Sequence, residues 1–350
     1  MAMGLKGREI LVPAWTCVVV PHAVVLSGNE PTFIDCGSGS FNMDLDLADK
    51  AVTAETGAMI STSIFGEPVN ADKLDAFRRR HPEIRIIQDC AHSFNCNWQG
   101  RSIPAAGDAA VFGLNISKIM NSIFGGMITT DDEELFLKLR DVRKQVLRPA
   151  PWYRAWERRL YYIASTLSLS PLFFGITNKI EKCGILDRFV KYYDDAKIDF
   201  PHDWDIGMTG VEAAVGIRQC RRYPEIVARR RENARIYREA FSLLPCVVLP
   251  PAPAGATWSH FTMLVPERLR EKLVERLEAA GVQIGVLIEY CIPEMRAYAA
   301  RRPQNPCPVA SGNSRRSINL PVWVPARTAE KIAAKFVKIY NRLYSEGGIN

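Results

Sequence analysis

Asp89 closes an apolar run, IRIIQD, and Lys118 follows 29 residues later in GLNISKIMNSIFGG, just ahead of Gly125-Gly126. A carboxylate at the carboxyl end of an apolar strand lies where open parallel sheets bind ligands; the same position also suits a cap on the following turn. A lysine after a strand end is, by itself, an ordinary solvated charge. Together the two fit a carbonyl cofactor such as pyridoxal phosphate (PLP), which needs an amine to form an imine and a carboxylate to keep its pyridine nitrogen protonated. That protonation makes the ring an electron sink, so that a bound amine can lose its α-proton.

The elements that must position this pair are legible around it. EILVP (9–13), PTFID (31–35), GAMISTSI (57–64) and IRIIQDC (84–90) read as strands, with LDLADKAV (45–52) and ADKLDAFRRRH (71–81) as helices between them. Short connections and nearly continuous apolar strands predict an α/β layer whose mostly parallel sheet is covered on both faces. AAVFGLN (109–115) and GMITT (126–130) extend the sheet, and Asp131 is the expected cap of the helix DDEELFLKLRDVRKQ. Residues 146–205, rich in aromatics, Arg and Pro, read as an insertion. A long helix is expected from Met208 to about Leu244, interrupted near Pro224, and leading into a small C-terminal α+β domain. There WSHFTMLV (258–265), ERLREKLVERLEAAG (267–281), VQIGVLIEY (282–290), SINLPVW (317–323) and an amphipathic helix from Ala326 follow one another. The expected division is a large α/β domain over 1–225 and a connecting helix with the small domain over 226–350.

A chain of 350 residues with 47% apolar composition can bury one large core or two moderate ones. Its 24% charged residues and lack of low-complexity tracts argue against disorder. The net charge of +7 is mild and dispersed; it suits phosphorylated small substrates, and no nucleic-acid motif accompanies it. Nine scattered cysteines without a C-x-x-C pair argue against a disulfide framework or structural zinc and for a reducing cytoplasm. The N-terminus, MAMGLKGREILVP, lacks the apolar core and cleavage site of a signal peptide. Residues 160–178 are apolar but interrupted by Ser165, Thr166, Ser168, Ser170 and Pro171, too broken for a membrane span. A buried helical hairpin or a subunit surface is expected there, with peripheral membrane contact through 150–180 as the alternative.

Longer stretches are more specific. GLKGREILVPAWTCVVVPHAVVLSGNEPTFIDC, STSIFGEPVNADKLDAF, IIQDCAHSF, GDAAVFGLNISKIMNSIFGGMITTDDEEL, MTGVEAAVGIRQCRRYPEIVARRRENARIYREAF and INLPVW together resemble the DegT/DnrJ/StrS family of PLP-dependent sugar aminotransferases. The resemblance covers most of the chain except residues 146–204. It implies the type I, aspartate-aminotransferase-like fold, PLP as cofactor, and a homodimer with shared active sites. It also implies small-molecule substrates: an amino-acid donor, often glutamate, and a keto sugar, typically nucleotide-linked, in polysaccharide or secondary-metabolite biosynthesis. By resemblance Lys118 forms the imine and shuttles the proton, Asp89 holds the pyridinium, and His92 stands near the ring oxygen. A hydrogen-bonded core histidine is the alternative reading of His92. Cys17 falls at or beside a position where relatives stack an aromatic ring on the cofactor; Trp15 is either its local substitute or a core residue. Lysine rather than histidine at 118 points to transamination and away from sugar dehydration.

The pattern departs from the family's at the phosphate. Members carry a Ser-Gly-Thr helix N-terminus ahead of the GLKGREILVP stretch, whose backbone N–H groups cradle the cofactor phosphate; this chain starts after it. Gly113 stands where a phosphate-contacting serine is usual, with Ser117 the nearest hydroxyl. Asp205 stands where a partner subunit usually offers asparagine, and its charge is expected to repel a phosphate. A second expectation therefore stands beside the enzyme: a truncated or diverged homologue acting as an interaction partner. Arg148, Arg154, Arg158 and Arg159 are candidates for meeting a diphosphate, or form an exposed basic face. Glu289-Tyr290 replaces a His-Tyr pair that often contacts the sugar.

Overall fold

Successive strand residues divide between the two faces of one sheet, as period two requires. In β1 (Glu9–Pro13) Ile10 and Val12 enter one core while Leu11 enters the other; Phe33 and Ile34 of β2 (Glu30–Ile34) and Ala58 and Met59 of β3 (Thr56–Thr62) split in the same way. The structure is a computed structural model that describes residues 1–168, 194–201, 203–299, 301 and 305–346. With β4 (Arg85–Asp89), β7 (Ala109–Gly113) and β8 (Gly126–Thr129) these strands form a six-stranded sheet in the order β2-β1-β3-β4-β7-β8. All neighbours are parallel except β7 and β8. A small hairpin, β5 (Asn97–Trp98) and β6 (Arg101–Ser102), lies outside the sheet.

The helices between the strands begin at side-chain caps. Helix α1 (Val19–Leu26) follows β1. Asp44 accepts from the backbone N–H groups of Asp46 and Leu47 at the start of α2 (Leu45–Lys50), and Asn70 from those of Asp72 and Lys73 at α3 (Ala71–Arg80). At α4 (Glu133–Val146) the cap is Asp132 rather than the expected Asp131: its Oδ1 accepts from Leu135 N at 3.0 Å. Only Leu135 of α4 is buried, and the cross-strand neighbours Val111 and Ile128 on β7 and β8 are 38% and 50% exposed, so this edge of the sheet is bare.

Within the expected insertion, α5 (Arg154–Ser168) is helical; residues 169–193, and with them the rest of the apolar run over 160–178, lie outside the described residues. No helix among the described residues is long and apolar enough to cross a membrane. Helix α6 (Gly210–Phe241) starts in a capping box of Thr209 and Glu212 and runs unbroken through Pro224, where an interruption was expected. Packing overrides the lost hydrogen bond there: Tyr223 and Val227 sit in a core with Phe112 and Ile119, and the Tyr223 hydroxyl donates to Phe94 O. The division expected at residue 225 falls inside this helix.

The C-terminal part pairs β9 (Phe261–Leu264) with β10 (Ser317–Leu320) antiparallel, beside α7 (Glu267–Ala279) and α10 (Ala326–Glu346). Tyr237, Phe241, Phe261, Phe336 and Tyr340 form its core. Residues 282–290 contribute only a single bridge, Gly285 to Asn319. Between lie the one-turn α8 (Arg296–Ala299) and α9 (Pro308–Arg316), neither read from the sequence. This stretch returns to the first sheet. Ile288, Ile292, Met295 and Tyr298 pack with Val12, Trp15 and Phe33, and Asp35 accepts from Val309 N (3.0 Å) and Ala310 N (2.7 Å) at the start of α9.

Candidate active site

Strands β3 and β4 end side by side at their carboxyl ends, in a register that sets Thr62 opposite Asp89. The Thr62 hydroxyl donates to Asp89 Oδ2 at 3.2 Å and Ala91 N to Oδ1 at 3.0 Å. Asp89 as a whole is 8% exposed. Burial pushes its pKa above the ordinary aspartate value; the Ala91 bond, the nearby Lys118 ammonium and the Thr62 bond oppose this without cancelling it.

His92, three residues on, stacks on Phe65 with centroids 5.8 Å apart, and Phe65 N donates to its Nδ1 at 3.3 Å. Burial, with the charge of Lys118, holds His92 well below its usual pKa. A neutral imidazole accepting at Nδ1 carries its proton on Nε2 and can donate there. The His260 ring lies 5.4 Å away; burial and the charges of Arg230 and Lys118 lower its pKa to about 3.

A close backbone seam brings His260 to the end of β3. Gly66 has φ +88°, and a Cβ on it would lie 2.7 Å from Trp258 N, so glycine alone fits. Gly66 O accepts from Thr257 N at 3.0 Å, and Arg230 donates to Trp258 O at 3.1 Å and Ser259 O at 2.5 Å. Phe65 and Trp258 both take left-handed φ angles, 54° and 53°, each costing about 1–2 kcal/mol.

Lys118 sits in the loop joining β7 to β8, which Leu114 N closes on Gly125 O (2.9 Å) and Ser122 N on Leu114 O (2.7 Å). A Cβ at Gly113 would lie 3.7 Å from Lys118 Cε and 3.4 Å from Ala91 Cβ. The lysine side chain therefore runs back over the end of β7 towards β4. Asp89, His92 and Lys118, named from sequence, converge. Thr62 and His260 were missed: the first is visible only once the strand register is known, and the second is a lone histidine at the head of a strand.

The other candidates bond elsewhere. The exposed Ser117 hydroxyl donates to Asn115 Oδ1 at 2.7 Å. Cys17 is half-buried ahead of α1, where its backbone carbonyl accepts from Val20 N (3.0 Å) and the next residue's N–H, Val18 N, donates to the Tyr290 hydroxyl (3.1 Å). Trp15 is a core residue: it is fully buried, donates to Ile288 O at 3.1 Å and meets Phe41 and Phe65 edge-on. Asp205 does not present a bare negative charge, because Arg148 grips it in a fork of 2.7 and 2.8 Å. Arg154 pairs with Asp203 and Glu157 and Arg158 with Glu212, so with Arg148 three of the four arginines are met by carboxylates, while Arg159 lies over the Trp156 ring.

Buried neutral histidines make stability sensitive to acid. Below pH ~6.5 the unfolded chain takes up protons that His92 and His260 refuse in the fold, so stability is lost as pH falls, by up to about 1.4 kcal/mol per pH unit for each. Asp89, and Glu67 with a pKa raised by burial to about 7, act in the opposite sense. His260→Gln is expected to flatten the loss between about pH 6.5 and 4, as read from urea unfolding at stepped pH. An unchanged slope would show that His260 is protonated in the fold.

A sequence profile of the DegT/DnrJ/EryC1/StrS aminotransferase family matches residues 1–336. The uncharacterized protein MJ1066 of Methanocaldococcus jannaschii is 24% identical over 293 residues, 82% of this chain and 67% of its own. DesI, crystallised in the presence of its TDP-sugar product, has a TM-score of 0.74 at 22% identity over 99% of this chain and 78% of its own. The PLP form of Spr1654, a putative sugar aminotransferase from Streptococcus pneumoniae, also scores 0.74, at 19% identity over 98% and 83%. The mostly parallel sheet with its C-terminal α+β part is thus the fold of aminotransferases in a PLP-dependent family. With a profile match running almost from end to end over that fold, the chain belongs to the DegT/DnrJ/EryC1/StrS aminotransferase family.

Proposed function

We propose that the chain is a PLP-dependent aminotransferase that moves an amino group from an amino acid, glutamate before others, to a nucleotide-linked keto sugar. The observation that carries this reading is the buried Asp89 carboxylate facing Lys118. A desolvated anion whose pKa stays raised beside a lysine is short of positive charge, and a pyridinium supplies it. His92, protonated on Nε2, fits an anionic ring oxygen. When bound, PLP supplies the carbonyl that takes the amine and the electron sink that eases loss of the donor's α-proton.

The chain's own groups do the rest. Asp89 orients the ring through its nitrogen, with Thr62 and Ala91 N fixing the carboxylate. Lys118 Nζ takes the α-proton from the donor and returns it across the site. The seam of Gly66 and Thr257–His260 walls His92 from water. Ser117 and Cys17 remain proposed cofactor contacts on resemblance, and the TDP-sugar with which DesI was crystallised supports a nucleotide-linked acceptor. The bare edge at Val111 and Ile128 suits a homodimer. Borohydride treatment of PLP-loaded protein should leave the cofactor on the peptide carrying Lys118, and glutamate should convert to its keto acid when a keto-sugar nucleotide is added. A tag on other lysines, or none, defeats the assignment.

A further inference from the structure

Helix α5 lies inside out. Its charged side is turned to the body of the protein: Arg154 is held by Asp203 and Glu157, and Arg158 by Glu212, whose side chain is 4% exposed. Arg158 also lies 4.2 Å over the Phe124 ring, which Tyr161 meets from the next turn. The opposite side carries Trp156, Leu160, Ile163 and Leu167, spaced to share one face. They are 59%, 67%, 54% and 53% exposed, and Trp152 and Tyr153, at 81% and 53%, extend the stripe ahead of the helix. An amphipathic helix on a water-soluble surface presents the reverse arrangement.

Positive charge borders this stripe. Arg140, Arg143, Lys144 and Arg148 line a groove of about 820 Å³ that reaches Trp152, and none of its lining residues is acidic. Arg148 is met by Asp205 and Lys144 lies 3.8 Å from Asp141, while Arg143 and Arg159 are exposed and no carboxylate pairs with them among the described residues. A second copy docking about a two-fold axis through this groove would set these cations against each other. An anionic surface would not.

We propose that this face docks on an anionic lipid bilayer. Helix α5, about 22 Å long, lies flat among the headgroups. Trp152, Trp156, Leu160, Ile163 and Leu167 enter the acyl boundary, and Arg143, Lys144 and Arg159 meet lipid phosphates. Tryptophan and tyrosine at the leading end match the residues that favour a membrane interface. Arg158 and Tyr161 seat the helix on Phe124 of the loop that carries Lys118, so, resting on the function proposed above, the site would meet its substrates at the membrane face.

The test is flotation of the full chain with phosphatidylcholine vesicles, with and without phosphatidylglycerol. Binding is expected only with phosphatidylglycerol, and a variant carrying Trp156→Ser, Leu160→Ser and Ile163→Ser should partition at least tenfold less. Arg143→Glu with Lys144→Glu, at exposed positions where folding is not at stake, should also lower partition severalfold. A chain that never floats overturns the proposal, as does a serine variant that floats like the parent. If the serine variant instead changes the oligomer in gel filtration and vesicles bind neither protein, the face is a protein contact.

Discussion

Replacing Lys118 with alanine is expected to lower kcat for sugar amination by at least about 10³-fold while leaving the protein folded. Proton transfer by a positioned side chain alone contributes roughly 10²–10⁴-fold, and Lys118 is also the proposed point of covalent attachment. Its side chain stands in a loop and makes no hydrogen bond among the described residues, so truncation removes little of the native packing. A stability change within about 0.5 kcal/mol follows. Steady-state kinetics beside a thermal melt separates the outcomes. Turnover near that of the parent would remove Lys118 from the reaction; a collapsed melt would make it structural.

Asp89→Asn separates the two halves of the site. The raised pKa of Asp89 means that the fold binds a proton the unfolded chain has released, so this group's effect on stability declines as pH rises from about 3.8 through the folded value. Asparagine has no charge to desolvate. Its Oδ1 can still accept from Ala91 N, and its amide can donate to Thr62. The cofactor-free variant should therefore be at least as stable as the parent at neutral pH. With PLP the order reverses: losing the anion opposite a buried pyridinium costs about 3–5 kcal/mol, a factor of roughly 10²–10⁴ in cofactor affinity or turnover. Melting curves with and without PLP test both statements. A variant still stabilised by PLP as the parent is would show that the carboxylate does not hold the ring.

Much of this site could be read along the chain, because its principal groups sit at strand ends and strand ends announce themselves. IRIIQD is a buried strand followed by a turn, and the Lys118 loop is punctuated by glycines. What escaped reading depends on partners distant in sequence. Thr62 reaches Asp89 only through strand register, and His260 reaches His92 only because the chain folds back at Gly66. The apparent break at Pro224 was misleading for the same reason: contacts of Tyr223 and Val227 hold the helix through it. That Arg148, 57 residues away in sequence, meets the Asp205 charge is likewise visible only in the fold. Local pattern locates groups; their electrostatics come from neighbours that local pattern does not name.

The clasp of Asp35 on the first turn of α9 has a bearing on synthesis. Its two backbone donors lie 274 and 275 residues downstream, and the cover over Trp15 comes from the same stretch. At roughly 5–20 residues per second, a ribosome takes about 15–55 s to deliver that cover. During this interval the core around Trp15 has Val18, Val24, Phe41 and Phe65 but lacks Ile288, Ile292, Met295 and Tyr298. The order of translation thus leaves β1 and β2 short of their cover until residues 288–310 emerge, and chaperone capture of ribosome-held chains should fall once they have.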